Sequence, residues 1–248
     1  MRTGKVIIVG GGPGDPMLIT IKGLEYIKKA DVIIYDRLAP LEVLKYAKEK
    51  AELIYAGKER GRHYMKQDEI NRILVAKARE GKLVVRLKGG DPYTFGRGEE
   101  ECLYVVEHGI ECEVVPGIPS YVAGLAYAGI PLTHRGLASS FAVVTGQEDP
   151  KKGFQAVKLE DTARSVDTLV ILMGAKRAAE IAKKLLNVLP PETPVAVVMN
   201  ATTLHQKTLI GTLKDLLDFA NKNLIKPPAL IVIGKTVLLR NKLWKKDA

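Results

Sequence analysis

Short apolar runs alternate with longer amphipathic stretches along most of this chain. Residues 6–9, 32–35, 53–56, 83–87 and 113–115 have the length and branched composition of strands. Between them, residues 68–80 place Ile70, Ile73, Leu74 and Ala78 on one helical face, and residues 99–107 also read as helix. Strand-like runs resume at 141–145, 168–172, 194–199, 208–211 and 229–233, with helical patterns at 176–186 and 213–221. This rhythm predicts an α/β fold, two α/β domains with mainly parallel or mixed sheets and helices on both faces. The stretch 116–134 is rich in Gly and Pro, so a boundary near Pro116 gives an N-terminal domain of residues 1–115 and a C-terminal domain of residues 116–248. Residues 151–164 are polar and weakly patterned, which predicts a loop with one irregular helix. After the first strand, Asp15 is placed to cap a helix and Pro16 to occupy its first turn, the helix then running to about Lys29.

Composition narrows the class. At 248 residues and 46% hydrophobic, the chain can bury a sizeable core, yet its apolar runs fall far short of the roughly 20 residues of a membrane span. No secretory pattern is visible at the N-terminus. Cys102 and Cys112 lack metal-type spacing and read as reduced, partly buried thiols, so a cytoplasmic location is expected. The four histidines show no ligand spacing and no metal is expected; His108, before Gly109, reads as a helix end. The net charge of +10, from 38 basic and 28 acidic residues, favours anionic partners. The basic residues are dispersed and aromatics are 6%, with no nucleic-acid-binding motif, so a polycarboxylate or phosphorylated small molecule is preferred over nucleic acid.

The richest chemical text runs from Gly89 to Glu100, where glycines at 89, 90, 96 and 98 follow a strand. In α/β proteins ligands sit at such strand ends, and glycine permits positive φ and close approach there. Two phosphate readings fail. The segment Gly10-Gly11-Gly12-Pro13-Gly14-Asp15 has Asp where a dinucleotide fingerprint needs its last glycine, and a carboxylate there would oppose a pyrophosphate. Gly234-Lys235-Thr236 lacks the P-loop glycine five positions earlier, which is Ala229.

Other motifs accompany these in fixed order: Tyr35-Asp36-Arg37-Leu38, Gly57-Lys58-Glu59-Arg60-Gly61, Gly89-Gly90-Asp91-Pro92-Tyr93-Thr94-Phe95-Gly96-Arg97-Gly98, Pro116-Gly117-Ile118, Pro131-Leu132-Thr133-His134-Arg135 and Leu172-Met173-Gly174. Over residues 4–240 this series closely resembles the tetrapyrrole (class III) methyltransferases. The resemblance implies two α/β domains with S-adenosylmethionine (SAM) in the cleft between them, S-adenosylhomocysteine as product, and usually a homodimer. It implies methylation of uroporphyrinogen III at carbons 2 and 7 to precorrin-2, on the way to sirohaem and cobalamin. A sister enzyme acting on a later corrin intermediate is the alternative, and the Asp36 and Lys58 motifs argue against it. No dehydrogenase or ferrochelatase domain accompanies these motifs, so a single activity is expected.

By that resemblance Pro13, Gly89, Gly90, Asp91, Thr94, Pro119, Ser120, Met173 and Ala201 occupy cofactor-contacting positions. Asp36 matches the proton acceptor and Lys58 the proton donor, although Asp36 could instead cap its loop and Lys58 pair with a carboxylate. Pro119 replaces a small hydroxyl residue and Ala201 a glycine common in relatives. Arginine suits carboxylates because its fork binds them bidentately, so Arg37, Arg60, Arg97 and Arg135 are candidates for the substrate rim.

Overall fold

The central apolar runs of the first half become strands buried on both faces. In the computed structural model, which describes residues 3–57, 65–147 and 157–243, β1 (Lys5–Gly10), β2 (Val32–Tyr35), β3 (Glu52–Tyr55), β4 (Leu83–Lys88) and β5 (Glu111–Val115) form a parallel sheet ordered β3-β2-β4-β1-β5. Side chains alternate across a strand. Val6, Ile8, Val32, Ile34 and Val84 therefore face one layer, and Ile7, Val9, Ile33, Val85 and Leu87 the other. Helix α1 (Ile21–Lys29) and a 3-10 stretch at Leu41–Tyr46 cover the second layer, while α2 (Gln67–Arg79) and α3 (Gly98–Glu107) cover the first. The predicted stripe of α2 is realised: Ile70, Leu74 and Ala78 are buried, each larger side chain contributing about 1.5–3 kcal/mol.

Two expectations are corrected here. Asp15 Oδ1 accepts from Met17 N–H at 2.8 Å and caps only the 3-10 turn Pro16–Leu18, because Ile19 is extended; α1 starts afresh behind Thr20, whose hydroxyl accepts from Gly23 N–H at 3.1 Å. The predicted single helix is thus two pieces with two caps. Cys102 and Cys112, expected as thiols, form a disulfide between α3 and β5. The reversal after α3 returns the chain alongside the helix and sets their Cα atoms 5.7 Å apart, inside bridging range. At that reversal His108 caps α3, its Nδ1–H donating to the Tyr104 carbonyl at 2.7 Å.

Contacts divide the chain into two compact units between Pro119 and Ser120. In the second, β6 (Phe141–Thr145), β7 (Thr168–Leu172), β8 (Pro194–Met199), β9 (Lys207–Thr212) and β10 (Ala229–Gly234) form a mixed sheet ordered β6-β7-β10-β8-β9. β6 runs parallel to β7, and β10 antiparallel to both β7 and β8. Helix α4 (Ser120–Tyr127) packs with Val170, Ala196, Val198 and Val232 on one face. On the other, α5 (Leu159–Ser165), α6 (Ala178–Leu186) and α7 (Leu213–Asn221) bury Leu169, Ile171, Val195, Val197 and Ile231. α5 begins within the polar stretch expected to hold an irregular helix and ends one residue past it; residues 148–156 lie outside the described residues. None of the described helices is long and apolar enough to cross a membrane.

Candidate active site

Because the first sheet is parallel, its strands all deliver their carboxyl ends to one edge. β1 delivers Gly10 through Pro13, β2 Asp36 and Arg37, β4 Gly89 through Thr94, and β5 Pro116 and Gly117. These ends are tied to one another. Gly90 N–H donates to the Gly12 carbonyl at 2.7 Å, Gly12 N–H to the Gly90 carbonyl at 3.3 Å, and Gly11 N–H to the Lys88 carbonyl at 2.8 Å. A β-carbon on Gly10 would stand 2.5 Å from the Gly117 nitrogen and 2.7 Å from the Gly90 oxygen. One on Gly89 would run into the Leu38 carbonyl. Gly90 itself has φ of 68°, which favours glycine. The bare backbone read from the sequence is therefore used first to let four strand ends meet.

Asp91 ties this knot. Its Oδ1 accepts from Tyr93 N–H and the Thr94 hydroxyl, both at 3.0 Å, and its Oδ2 accepts from Gly117 N–H at 3.1 Å. Gly89, Gly90, Asp91 and Thr94 thus stand together, with Pro13 on the adjoining β1 loop. Phe95 and Arg97 beyond them hold left-handed backbone at φ of 55° and 60°. Arg97 is exposed, and its Nε and Nη2 donate to the two Glu100 oxygens at 3.0 and 2.7 Å. Its fork is thus occupied by one carboxylate in the arrangement that another carboxylate would use.

Asp36 follows Ile34 along one face of β2, with its side chain 29% exposed. Its Oδ1 accepts from Leu38 N–H at 3.1 Å, so the loop-capping role read as an alternative is real. Its Oδ2 accepts from Arg86 Nη2 at 3.0 Å. Sequence reading took Arg86 as part of an apolar run and missed what it does. It is 3% exposed, and its Nε donates to Glu101 Oε1 at 3.1 Å, while Nη1 donates to the carbonyls of Leu87 at 3.1 Å and Ile34 at 3.4 Å. Lys88 donates to both oxygens of the fully buried Glu101 at 3.0 Å, and Gln67 from α2 adds another donor at 3.0 Å. Burial, and then the neighbouring Arg86 charge, hold the Lys88 ammonium below its ordinary range, with Glu101 acting the other way. The signal was available: two cations inside a strand that is otherwise apolar must have buried partners.

In the second unit β6, β7 and β8 run in one direction, and Met173 and Ala201 follow the carboxyl ends of β7 and β8. Met173, just past the end of β7, is 49% exposed with φ of 57°. Asn200 and Thr202 also have positive φ, at 47° and 65°. A β-carbon on Gly124 of α4 would lie 2.7 Å from the Ala201 methyl, so the glycine of α4 makes room for this alanine. Ser120 opens α4, Pro119 ends the first unit, and Arg135 is exposed on a turn closed by the pair His134 and Ala138. Lys58 and Arg60 lie outside the described residues.

Comparison with known proteins gives a consistent picture. The family profile of Tetrapyrrole (Corrin/Porphyrin) Methylases matches residues 5–217. A uroporphyrinogen-III C-methyltransferase of Methanocaldococcus jannaschii is 54% identical over 237 residues, which is 95% of this chain and 97% of that one. One of Bacillus subtilis is 52% identical over 241 residues, covering 97% and 93%. The crystal structure of uroporphyrin-III C-methyl transferase from Thermus thermophilus complexed with S-adenyl homocysteine superposes with a TM-score of 0.81 at 43% identity, covering 95% of this chain and 100% of that one.

Proposed function

The chain belongs to the tetrapyrrole (corrin/porphyrin) methylase family, and from that premise we propose that it is a SAM-dependent methyltransferase acting on uroporphyrinogen III. It methylates carbons 2 and 7 in turn and releases precorrin-2, which feeds sirohaem or cobalamin synthesis. The family resemblance also supports a homodimer. The observation that carries the reading is the knotted strand edge of the first sheet: a glycine backbone, Asp91 at its centre, and a partly exposed carboxylate at Asp36 alongside.

The residues suit this chemistry. SAM supplies an activated methyl on a sulfonium, so the protein has mainly to align the pyrrole carbon with that methyl. Such alignment lowers barriers by roughly 7–11 kcal/mol in favourable cases. The Gly89, Gly90 and Pro13 backbone offers polar edges to an amino acid or ribose, and Asp91 and Thr94 add negative potential beside a sulfonium. The exposed Met173 thioether suits packing on adenine. Ser120, Pro119 and Ala201 complete the cofactor positions that the resemblance implies. Methylation leaves a quaternary ring carbon and a positive charge on the ring. Asp36 takes a proton from the adjoining methylene bridge: the C–H bond breaks, its electrons neutralise the ring cation, and the proton rests on the carboxylate. Lys58 is the corresponding donor elsewhere on the ring. Arg37, Arg97 and Arg135, all exposed, suit the carboxylates of such a substrate, Arg60 is assigned the same role from its motif alone, and the net charge of +10 would also steer the anion.

Anaerobic incubation with SAM and uroporphyrinogen III, followed by mass spectrometry, tests this. The expected product carries two added methyl groups. No mass gain, with S-adenosylhomocysteine binding intact, refutes the substrate; methylation only of a later corrin intermediate assigns the chain to a sister step.

A further inference from the structure

The buried charges behind Asp36 have no evident use in holding the fold. Arg86 and Lys88 follow Val84 onto the face of β4 covered by α2 and α3, where every preceding residue of the strand face is aliphatic. Two cations and two carboxylates are balanced there, three of the four almost wholly out of water. Replacing such a buried set with apolar side chains is often neutral or stabilising, so stability gives little reason for it. Its geometry gives a better one. The guanidinium is planar and rigid. Its Nε is locked by Glu101, which Lys88 and Gln67 hold in turn, and its Nη2 reaches Asp36 Oδ2. With Leu38 N–H on Oδ1, the carboxylate has one donor on each oxygen and so a fixed plane.

We infer that Arg86, locked from behind by the Glu101–Lys88 pair, is a positioning residue for the Asp36 carboxylate. The inference rests on the reading of Asp36 as the group that takes the methylene-bridge proton. A lysine at position 86 would keep the charge but could not hold Glu101 and Asp36 with two N–H groups fixed in one plane. A glutamine would lose both the charge and the fork.

The test uses the full chain with Arg86→Gln and Arg86→Lys, each made alone and combined with Asp36→Asn. Turnover, KM for the tetrapyrrole, affinity for S-adenosylhomocysteine and Tm are measured for all. Alone, Arg86→Gln should lower kcat about 10²-fold, the scale of a misplacement of about 1 Å, with KM and cofactor affinity nearly unchanged. In the Asp36→Asn background the same change should lower kcat no further, although its effect on Tm persists, because residues acting as a unit are not additive. Arg86→Lys should give an intermediate loss with the same non-additivity, and it carries the test if the glutamine variant does not fold. An undiminished loss in the Asp36→Asn background, or unchanged kcat in Arg86→Gln, overturns the inference and leaves the role of Asp36 standing. Full turnover by Asp36→Asn alone overturns the reading of Asp36 itself.

Discussion

Replacing Gly117 with alanine probes how closely the strand ends of the first sheet are joined. A β-carbon at 117 would collide with the Gly90 carbonyl and lie 2.7 Å from the Gly10 backbone. Those neighbours are main-chain atoms of β1 and the β4 loop, with no rotamer to change. The φ of Gly117 lies outside the left-handed region, so alanine meets a lack of space and no torsional conflict. Overpacking of this kind costs about 1–3 kcal/mol. Reduced freedom of the unfolded chain returns about 0.4–1 kcal/mol. The net loss should lower Tm by about 2–4 °C for each kcal/mol in a chain of this size. The strand ends must part to admit the methyl, which moves the Asp91 knot with them. Affinity for S-adenosylhomocysteine, measured by calorimetric titration, should fall about tenfold, or about 1.4 kcal/mol. Gly109→Ala is the control. It has φ of 74° and nothing within 4 Å of the added carbon, so it should lose about 1–2 kcal/mol of stability through torsion alone and keep its cofactor affinity. Unchanged affinity in Gly117→Ala, or an equal loss in Gly109→Ala, would refute the assignment of the cofactor to this edge.

Other expectations follow from single contacts. Met173→Ala should weaken S-adenosylhomocysteine binding up to about tenfold, the scale of about 0.3–1.5 kcal/mol for a sulfur–aromatic contact, with little change in Tm; equal affinity removes Met173 from the adenine site. Lys48 and the Leu83 N–H hold the Asp31 carboxyl below its ordinary value, so its stabilisation is present above the unfolded pKa of about 3.9 and is lost as pH falls through the lower folded value. Asp31→Asn should therefore reduce stability near neutrality by about 1 kcal/mol or less and flatten the acid side of the Tm–pH curve, whereas parallel curves would deny the linkage. Thr212 and Asp215 form a reciprocal cap at α7, and Thr212→Ala should remove about 1 kcal/mol in a denaturant melt without altering turnover; an unchanged midpoint would show the cap to be idle.

The strands were the most legible part of the chain, and the reason is burial. Val6 to Val9 and Val195 to Val198 are covered on both faces, so every position along them must be apolar or small. Helix α4 was hidden because Gly124 and the surrounding Gly and Pro residues weaken any helical pattern, and its stability comes from Leu125 packing on the second sheet. The break before α1 turns on the extended backbone of Ile19, which no residue type in that segment demands. Gly89 and Gly90 follow the end of β4 as the sequence indicates, but which glycines serve a ligand and which serve neighbouring backbone depends on tertiary distances. The Arg86, Lys88 and Glu101 cluster stood in plain text as charges in an apolar setting. Its partners come from β2, β4, α2 and α3, and only the fold brings them together.

Transfer of carbon-13 from methyl-labelled SAM tests the central claim most directly. The protein is incubated anaerobically with uroporphyrinogen III and the product read by carbon NMR. Two labelled methyl resonances, each bonded to a saturated ring carbon, are expected, with none in Asp36→Asn beyond a small residue. Label that stays on SAM in the presence of intact, cofactor-binding protein would contradict the account.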